Sequence, residues 1–436
     1  MLRRLEPVNG VLPAIERPAL RPDREVAEGV RGILAQVERW GDAAVRELGR
    51  RHDGVELEEL AVSPAEREAA RRTVSARARA DLRRAHEQIR TFHLAQVRDG
   101  VEVETSPGVR CERRTLPIPR VGAYVPGGSA PLFSTLLMIG VPAALAGCEL
   151  RVVCTPPRAD GTLDPHLLVA ADLCGIEHVY KIGGAQAVAA MAYGTQTVPK
   201  VDKIFGPGNA WVSAAKEQVA ADPGGAAIDL PAGPSEVLVL ADAAAEPSFV
   251  AADLLSQAEH GPDSQVVLVT TSERLAADVC VELEARLATL ARRTIAEQSL
   301  LFSCAVVVTD LEQAFAVSND YAPEHLIVQV REPRAWVGRI RNAGSVFLGP
   351  WAPEAVGDYA SGTNHVLPTH GYARAHSGLG VGAFQKTISF QELTPEGLAD
   401  IGPVVERLSA LEGLGAHGEA VSVRLRRLAA PLGGQA

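Results

Sequence analysis

A chain of 436 residues is too long for one hydrophobic core, so two or more domains are expected. Its 47% apolar and 22% charged content is ordinary for a globular protein. A net charge of −10 argues against a dedicated nucleic-acid binder, which would carry a basic face. No apolar run approaches the roughly 18 residues of a membrane span. "MLRRLEPVNG" has no apolar signal region, which makes the cytoplasm the expected compartment.

The first hundred residues read as helices, with "AEREAARRTVSARARADLRRAHEQIRTFHLAQ" as one long helix or a helical pair. "ETSPGVRCERRTLPI" then reads as short strands with a turn. From about 120 to 349, strands alternate with helices: "RVGAYV", "LRVVCT", "HVYKI", "VDKIF", "EVLVLA", "QVVLVT", "CAVVV", "LIVQV" and "SVFLG" are the strands. Short apolar strands joined by helices predict parallel sheet buried on both faces. Their number predicts two α/β sheets rather than one. Residues 350–382 have neither period and read as a loop of about 30 residues, a length usually tied to function. The last stretch reads as two helices broken at Gly413–Gly415.

Open α/β sheets bind ligands where strands end and helices begin. The turns "VPGGSAP", "IGGAQA" and "FGPGNAW" put glycines at such points, a backbone arrangement that can cradle phosphate. None matches the G-x-G-x-x-G fingerprint, and simple turn glycines explain them as well. Only five lysines occur, four of them within 181–216, a weak hint of an anion site against which a solvated face stands as an alternative. The six cysteines form no C-x-x-C pair and mostly sit in apolar surroundings, which favours buried reduced thiols.

In "DLLSQAEHG", Leu254, Leu255 and Ala258 form the apolar stripe of a helix, while Gln257 and His260 share another face before Gly261-Pro262 stops it. Glu259 points about 100° away from His260 and is expected to play a supporting role at most. Imidazole nitrogen with amide and carboxylate oxygen suits zinc or another borderline divalent ion. Spacing alone cannot bring Gln257, His260, Asp358 and His417 together, and an ordinary hydrogen-bonded histidine is the competing reading of each. In "YAPEHLIVQV", Pro323 keeps Ala322 out of helix and puts Glu324-His325 at a turn, which can aim both side chains into one cleft. A carboxylate beside an imidazole suits stepwise acid–base chemistry; a solvated pair at a strand edge is the alternative.

"VGAYVPGGSAPLFSTLLM", "GGAQAVAAMAYGT", "VDKIFGPGNAWV", "AAIDLPAGPSEVLVLAD", "DLLSQAEHGPDSQV", "NDYAPEHLIVQ", "AGSVFLGPWAPEAVGDYASGTNHVLPT" and "FQKTISFQEL" together resemble the histidinol dehydrogenase family. The likeness runs in order over nearly the whole chain. It implies an α/β protein of two incomplete Rossmann-like domains with parallel sheets, plus small helical N- and C-terminal segments. The implied divisions are an arm over 1–20, a first domain over 21–123 and 235–378, a second over 124–234, and a dimerising helical domain over 379–436.

The resemblance also implies a zinc- and NAD-dependent enzyme that oxidises L-histidinol to L-histidine through the aldehyde with two NAD+. Position by position, it makes Gln257, His260, Asp358 and His417 the ligands of one zinc per subunit, and Glu324 and His325 the proton-transfer pair. Substrate contacts are implied for Ser235, Gln257, His260, His325, Asp358, Glu412 and His417, with His365 as a secondary candidate. NAD contacts are implied for Tyr124, Gln186 and Asn209. The implied assembly is a homodimer in which the partner supplies Glu412 and His417, with neither nucleic acid nor membrane as a partner. Gly380 and Gly382 stand where relatives often carry a serine and an aspartate. Two rivals stand beside this: a relative on the same scaffold that oxidises another small polar alcohol, and a catalytically silent NAD- or metal-binding regulator. A cysteine thiohemiacetal route for the aldehyde step is disfavoured by the apolar settings of the cysteines.

Overall fold

A computed structural model describes residues 2–5, 14–18, 24–97, 100–127, 131–230 and 233–430. The expected turn "VPGGSAP" and the arm over 1–20 therefore lie partly outside the described residues. The chain divides into two compact units, one of residues 1–96 and 118–384, the other of 97–117 and 385–436.

In the first unit, helix Arg24–Trp40 buries Val30, Ile33, Leu34 and Val37, the three- and four-residue spacing of one helical face. The long Ala/Arg/Glu stretch is a helical pair, Pro64–Thr73 and Ala76–Leu94. The break is chemical: Ser63 and Glu66 form a capping box on the first helix, and Ser75 caps the second by accepting from the Ala78 N–H.

Two parallel sheets follow. One is five-stranded, with strands in the spatial order His178–Lys181, Leu150–Thr155, Arg120–Tyr124, Lys203–Phe205, Ala227–Ile228. The other is six-stranded, in the order Arg3–Leu5, Cys304–Val307, Gln265–Thr270, Glu236–Ala241, His325–Gln329, Ser345–Leu348. Glu236–Ala241 and Gln265–Thr270 are buried at every position, which is why they read as unbroken apolar runs rather than alternating ones. The edge strand Arg3–Leu5 was not expected. "RRL" has no apolar pattern, and only pairing to Cys304–Val306 makes it a strand.

The clustered lysines have partners within the protein: Lys181 pairs with Glu66, Lys216 with Asp229, Lys200 donates to the Gly224 carbonyl and Lys203 to that of Ala383. One further expectation changes. The stretch 350–382 is not structureless, because it holds the helix Glu354–Tyr359 and two short 3-10 turns. Six residues are too few for a helical period to emerge. The cysteines are free thiols, four of them buried, as expected.

The second unit contains the antiparallel sheet Gln385–Leu393, Val109–Pro117, Val101–Ser106. Helices Pro395–Leu411 and Gly415–Ala429 pack against each other, with Gly402 fitted between Leu425 and Val421. Among its described residues, Leu408, Leu411, Leu414, Val423 and Leu428 are exposed. No described helix is long and apolar enough to cross a membrane.

Candidate active site

Helix Leu311–Tyr321 ends at Ala322, which adopts the left-handed conformation with φ 53°. An L-residue is held there only when its surroundings require it, and such positions gather at functional sites. Pro323 and Glu324 follow, and strand His325–Gln329 begins. His325 is in register with Val237 and with Ser345, so the pair sits at the N-terminal edge of the six-stranded sheet. The chain reaches that edge because Ser235 and Glu324 immediately precede two adjacent parallel strands, the first of which opens with Glu236.

The backbone of one residue holds both side chains. The Glu236 N–H donates to the Glu324 carboxylate at 2.9 Å, and the Glu236 carbonyl lies 3.2 Å from His325 Nδ1. His325 Nδ1 is thus the donor, which leaves the lone pair on Nε2. That atom is buried without a hydrogen-bond partner. Burial pushes the His325 pKa down to about 3, so the ring is neutral. Burial drives Glu324 well above the usual carboxylate range, against the bond from the Glu236 N–H; the nearby charges of Glu236 and Asp358 push the same way as burial, and the Ser235 hydroxyl opposes it.

Helix Glu354–Tyr359 brings Glu354 and Asp358, one turn apart, toward the same ring. Potential ligand atoms of His325, Glu354 and Asp358 all lie within 4.8 Å of one another. Glu354 Oε1 and Glu324 Oε2 are each 3.7 Å from His325 Nδ1. Neither contact is a standing ion pair, since burial favours the neutral form of every partner. Burial raises Asp358 to about 6.

Helix Pro247–Ala258 ends two residues before His260, sooner than the sequence predicts, and the turn keeps His260 near Gln257 through the bond from the His260 N–H to the Gln257 carbonyl at 3.1 Å. Gln257 Nε2 lies 3.2 Å from His260 Nδ1. Gln257 Oε1 is buried without a partner. His260 has an exposed surface, yet protein crowds one side of the ring and desolvation holds its pKa below the ordinary value. His365, partly buried, feels the charge of His260 and is pushed down to about 4 by burial; its Nε2 also lacks a partner.

Tyr124, Gln186 and Asn209 lie at the C-terminal edge of the five-stranded sheet: at the end of strand Arg120–Tyr124, in helix Gly184–Tyr193, and capping helix Ala210–Ala221. The Tyr124 hydroxyl accepts from the Gly184 N–H at 3.1 Å. Gln186 Nε2 is 3.5 Å from Asp53. Asn209 Oδ1 accepts from the Trp211 and Val212 N–H groups, so the carbonyl of its side chain is engaged in capping. In the second unit, Glu412 caps helix Pro395–Leu411 at its C-terminus and His417 lies in the first turn of helix Gly415–Ala429, both exposed.

A sequence profile of the histidinol dehydrogenase family matches residues 16–425. The chain belongs to the histidinol dehydrogenase family. It is 55% identical over 412 residues to the histidinol dehydrogenase of Xanthomonas euvesicatoria pv. vesicatoria, covering 94% of this chain and 95% of that one. It is 52% identical over 414 residues to that of Vibrio parahaemolyticus, covering 95% of each. The crystal structure of the histidinol dehydrogenase from Elizabethkingia anophelis matches with a TM-score of 0.94 at 45% identity, over 98% of this chain and 99% of that one.

For a histidinol dehydrogenase, the donor set suits a borderline divalent ion. The orphaned Gln257 Oε1, neutral imidazole nitrogen and a carboxylate oxygen are the atom types such an ion takes. Reading the sequence missed Glu236, Glu354, Asp253 and Arg17. Glu354 stands four residues before Asp358, a signal visible only once 354–359 is recognised as helix. Asp253, one turn before Gln257, is buried, accepts from Gln329 Nε2 at 2.7 Å and is raised by burial to about 7.

Proposed function

We propose that the chain is a zinc- and NAD-dependent histidinol dehydrogenase that oxidises L-histidinol to L-histidine through histidinal with two NAD+, a four-electron oxidation that ends histidine biosynthesis. The cytoplasm is the proposed compartment, and a homodimer the proposed assembly, with Glu412 and His417 reaching the site from the partner subunit. The observation that carries the reading is the buried pair Glu324 and His325, both held by the backbone of Glu236, with a ligand atom of Asp358 within 4.8 Å of one of His325 and with Gln257 against His260.

Gln257, His260, Asp358 and His417 would hold the zinc, which supplies Lewis-acid templating of the substrate's amine and imidazole. Tyr124, Gln186 and Asn209 would contact NAD+, the hydride acceptor. Ser235 and Glu412 would contact the substrate. His325, neutral with Nε2 free, takes the hydroxyl proton in the alcohol step. Carboxyl oxygens of Glu324 and Glu354 lie 3.7 Å from Nδ1. Glu324, as carboxylate, takes a proton from the water that adds to the aldehyde. A raised pKa makes it a stronger base once ionised. His325, once it has released its first proton to solvent, accepts the proton of the resulting hydrate as the second hydride departs to NAD+. The division follows geometry: two bases side by side serve the three proton removals of the two oxidations without moving the substrate.

NADH formation with histidinol and with a panel of small polar alcohols tests the reading. Histidinol should be oxidised in preference to the others, with two NADH per histidine formed. No response to histidinol would sink the proposal and favour the rival substrate. Glu324→Gln should keep alcohol oxidation measurable and lose oxidation of supplied histidinal.

A further inference from the structure

Arg17 has no part in the chemistry above, yet its guanidinium lies directly behind it. Nε and Nη2 grip the Glu236 carboxylate as a fork, at 2.7 and 2.9 Å. Nη2 also donates to the Tyr321 carbonyl at 2.5 Å and lies 3.5 Å from that of Ala322. The guanidinium carbon stands 3.7 Å from the centroid of the Tyr321 ring, and the Tyr321 hydroxyl donates to the same Glu236 carboxylate at 2.9 Å. Arg17 is 13% exposed in its side chain and Glu236 3%.

What Arg17 holds decides what it does. The side chain of Glu236 is locked by the fork, while its backbone N–H holds Glu324 and its carbonyl holds His325. The other acceptors, the carbonyls of 321 and 322, belong to the left-handed turn that leads into Pro323-Glu324-His325. One cation therefore ties together both pieces of chain that position the proton-transfer pair. A buried ion pair is by itself a weak source of stability. Three kinds of acceptor around one planar fork is a geometry that lysine cannot reproduce.

We infer that Arg17 is a positioning residue for the Glu324–His325 pair, acting through the Glu236 carboxylate and the Tyr321 and Ala322 carbonyls. This rests on the proton-transfer roles proposed above. Displacement of catalytic groups by about 1 Å can cost roughly a hundredfold in rate.

The test uses the full-length zinc-loaded enzyme as Arg17→Ala and Arg17→Lys, with kcat and KM measured separately for histidinol and histidinal. Arg17→Ala should lose about a hundredfold in kcat while KM for histidinol changes little, since no substrate contact is removed. Millimolar guanidinium should restore part of that kcat by refilling the vacated space, and Arg17→Lys should be nearly as slow as Arg17→Ala. Wild-type kcat in both variants, or a loss that guanidinium does not relieve, overturns the inference. If Arg17→Ala does not fold, Arg17→Lys decides on kcat against KM alone: near-wild-type kcat overturns, a kcat-specific loss supports. Glu324→Gln, run in parallel, separates the two ideas. Retained histidinal oxidation there breaks the assignment of Glu324, whereas loss there with unimpaired Arg17 variants breaks only the role of Arg17.

Discussion

Gly344 packs so close to Glu324 that a β-carbon on it would lie 2.6 Å from the Glu324 carbonyl oxygen. The neighbouring hydrogen bonds explain the approach: the Gly344 N–H donates to the Pro323 carbonyl at 2.9 Å and the Ser345 N–H to that of Glu324 at 2.8 Å. The obstacle is backbone, which cannot swing aside as a long side chain can. Gly344→Ala should therefore push the Glu324 turn and lower kcat for histidinal oxidation by about tenfold or more, with a lower melting temperature. Steady-state rates and a circular-dichroism melt check this; an unchanged kcat would mean that the turn yields at no cost to its function.

Glu354 is fully buried, and neither carboxylate oxygen has a hydrogen-bond partner. A buried polar group left in that state destabilises by about 1–3 kcal/mol. Glu354→Met should raise the melting temperature of the metal-free protein while lowering turnover, the trade expected where a site is kept for function rather than stability. A gain in stability with full turnover would show that the reaction does not use this carboxylate.

Zinc affinity should depend on pH through Asp358. Burial raises this carboxyl to about 6, and a ligand must be ionised to bind. The sign follows: the proton is lost as pH rises, so affinity climbs toward about pH 6 and levels above it. His260 must also lose its proton to bind, in the same direction with pH, and burial lowers its pKa from the ordinary value. Calorimetry in two buffers of different ionisation enthalpy should detect proton release at pH 5.5 and little at pH 7.5. Asp358→Asn should bind more weakly and lose that dependence, and a flat profile in the unaltered protein would contradict the assignment of Asp358 as ligand.

The aldehyde step should need no cysteine. Burial pushes Cys148 and Cys304 up to about 11, Cys174 to about 12, and Cys154 upward as well, so these thiols are not nucleophiles near neutral pH. Native protein at pH 8 should leave all four unlabelled by iodoacetamide, as read by mass spectrometry. Single Cys→Ser variants should keep histidinal oxidation. Loss in any folded variant would restore the thiohemiacetal route.

Much of the fold was legible because local patterns carried it. Apolar runs such as "EVLVLA" and "QVVLVT" announced buried parallel strands, and the long Ala/Arg/Glu stretch announced a helical pair. The strand Arg3–Leu5 and the helix Glu354–Tyr359 were not legible. One depends wholly on a partner strand 300 residues away in sequence, and the other is too short for its period to register.

The site divides the same way. Spacing drew attention to Gln257 with His260 and to Glu324 with His325, and the resemblance to the histidinol dehydrogenase family added Asp358 and assigned the roles. Sequence by itself determined which chemical groups the chain owns and which strands they adjoin. Only tertiary structure decided that His325 donates from Nδ1 and keeps Nε2 free, that Glu354 shares its pocket, and that Arg17 grips Glu236 behind it. Tautomer, burial and buried charge pairing depend on which atoms meet in space, and Arg17 and Glu236 meet across 219 residues of chain.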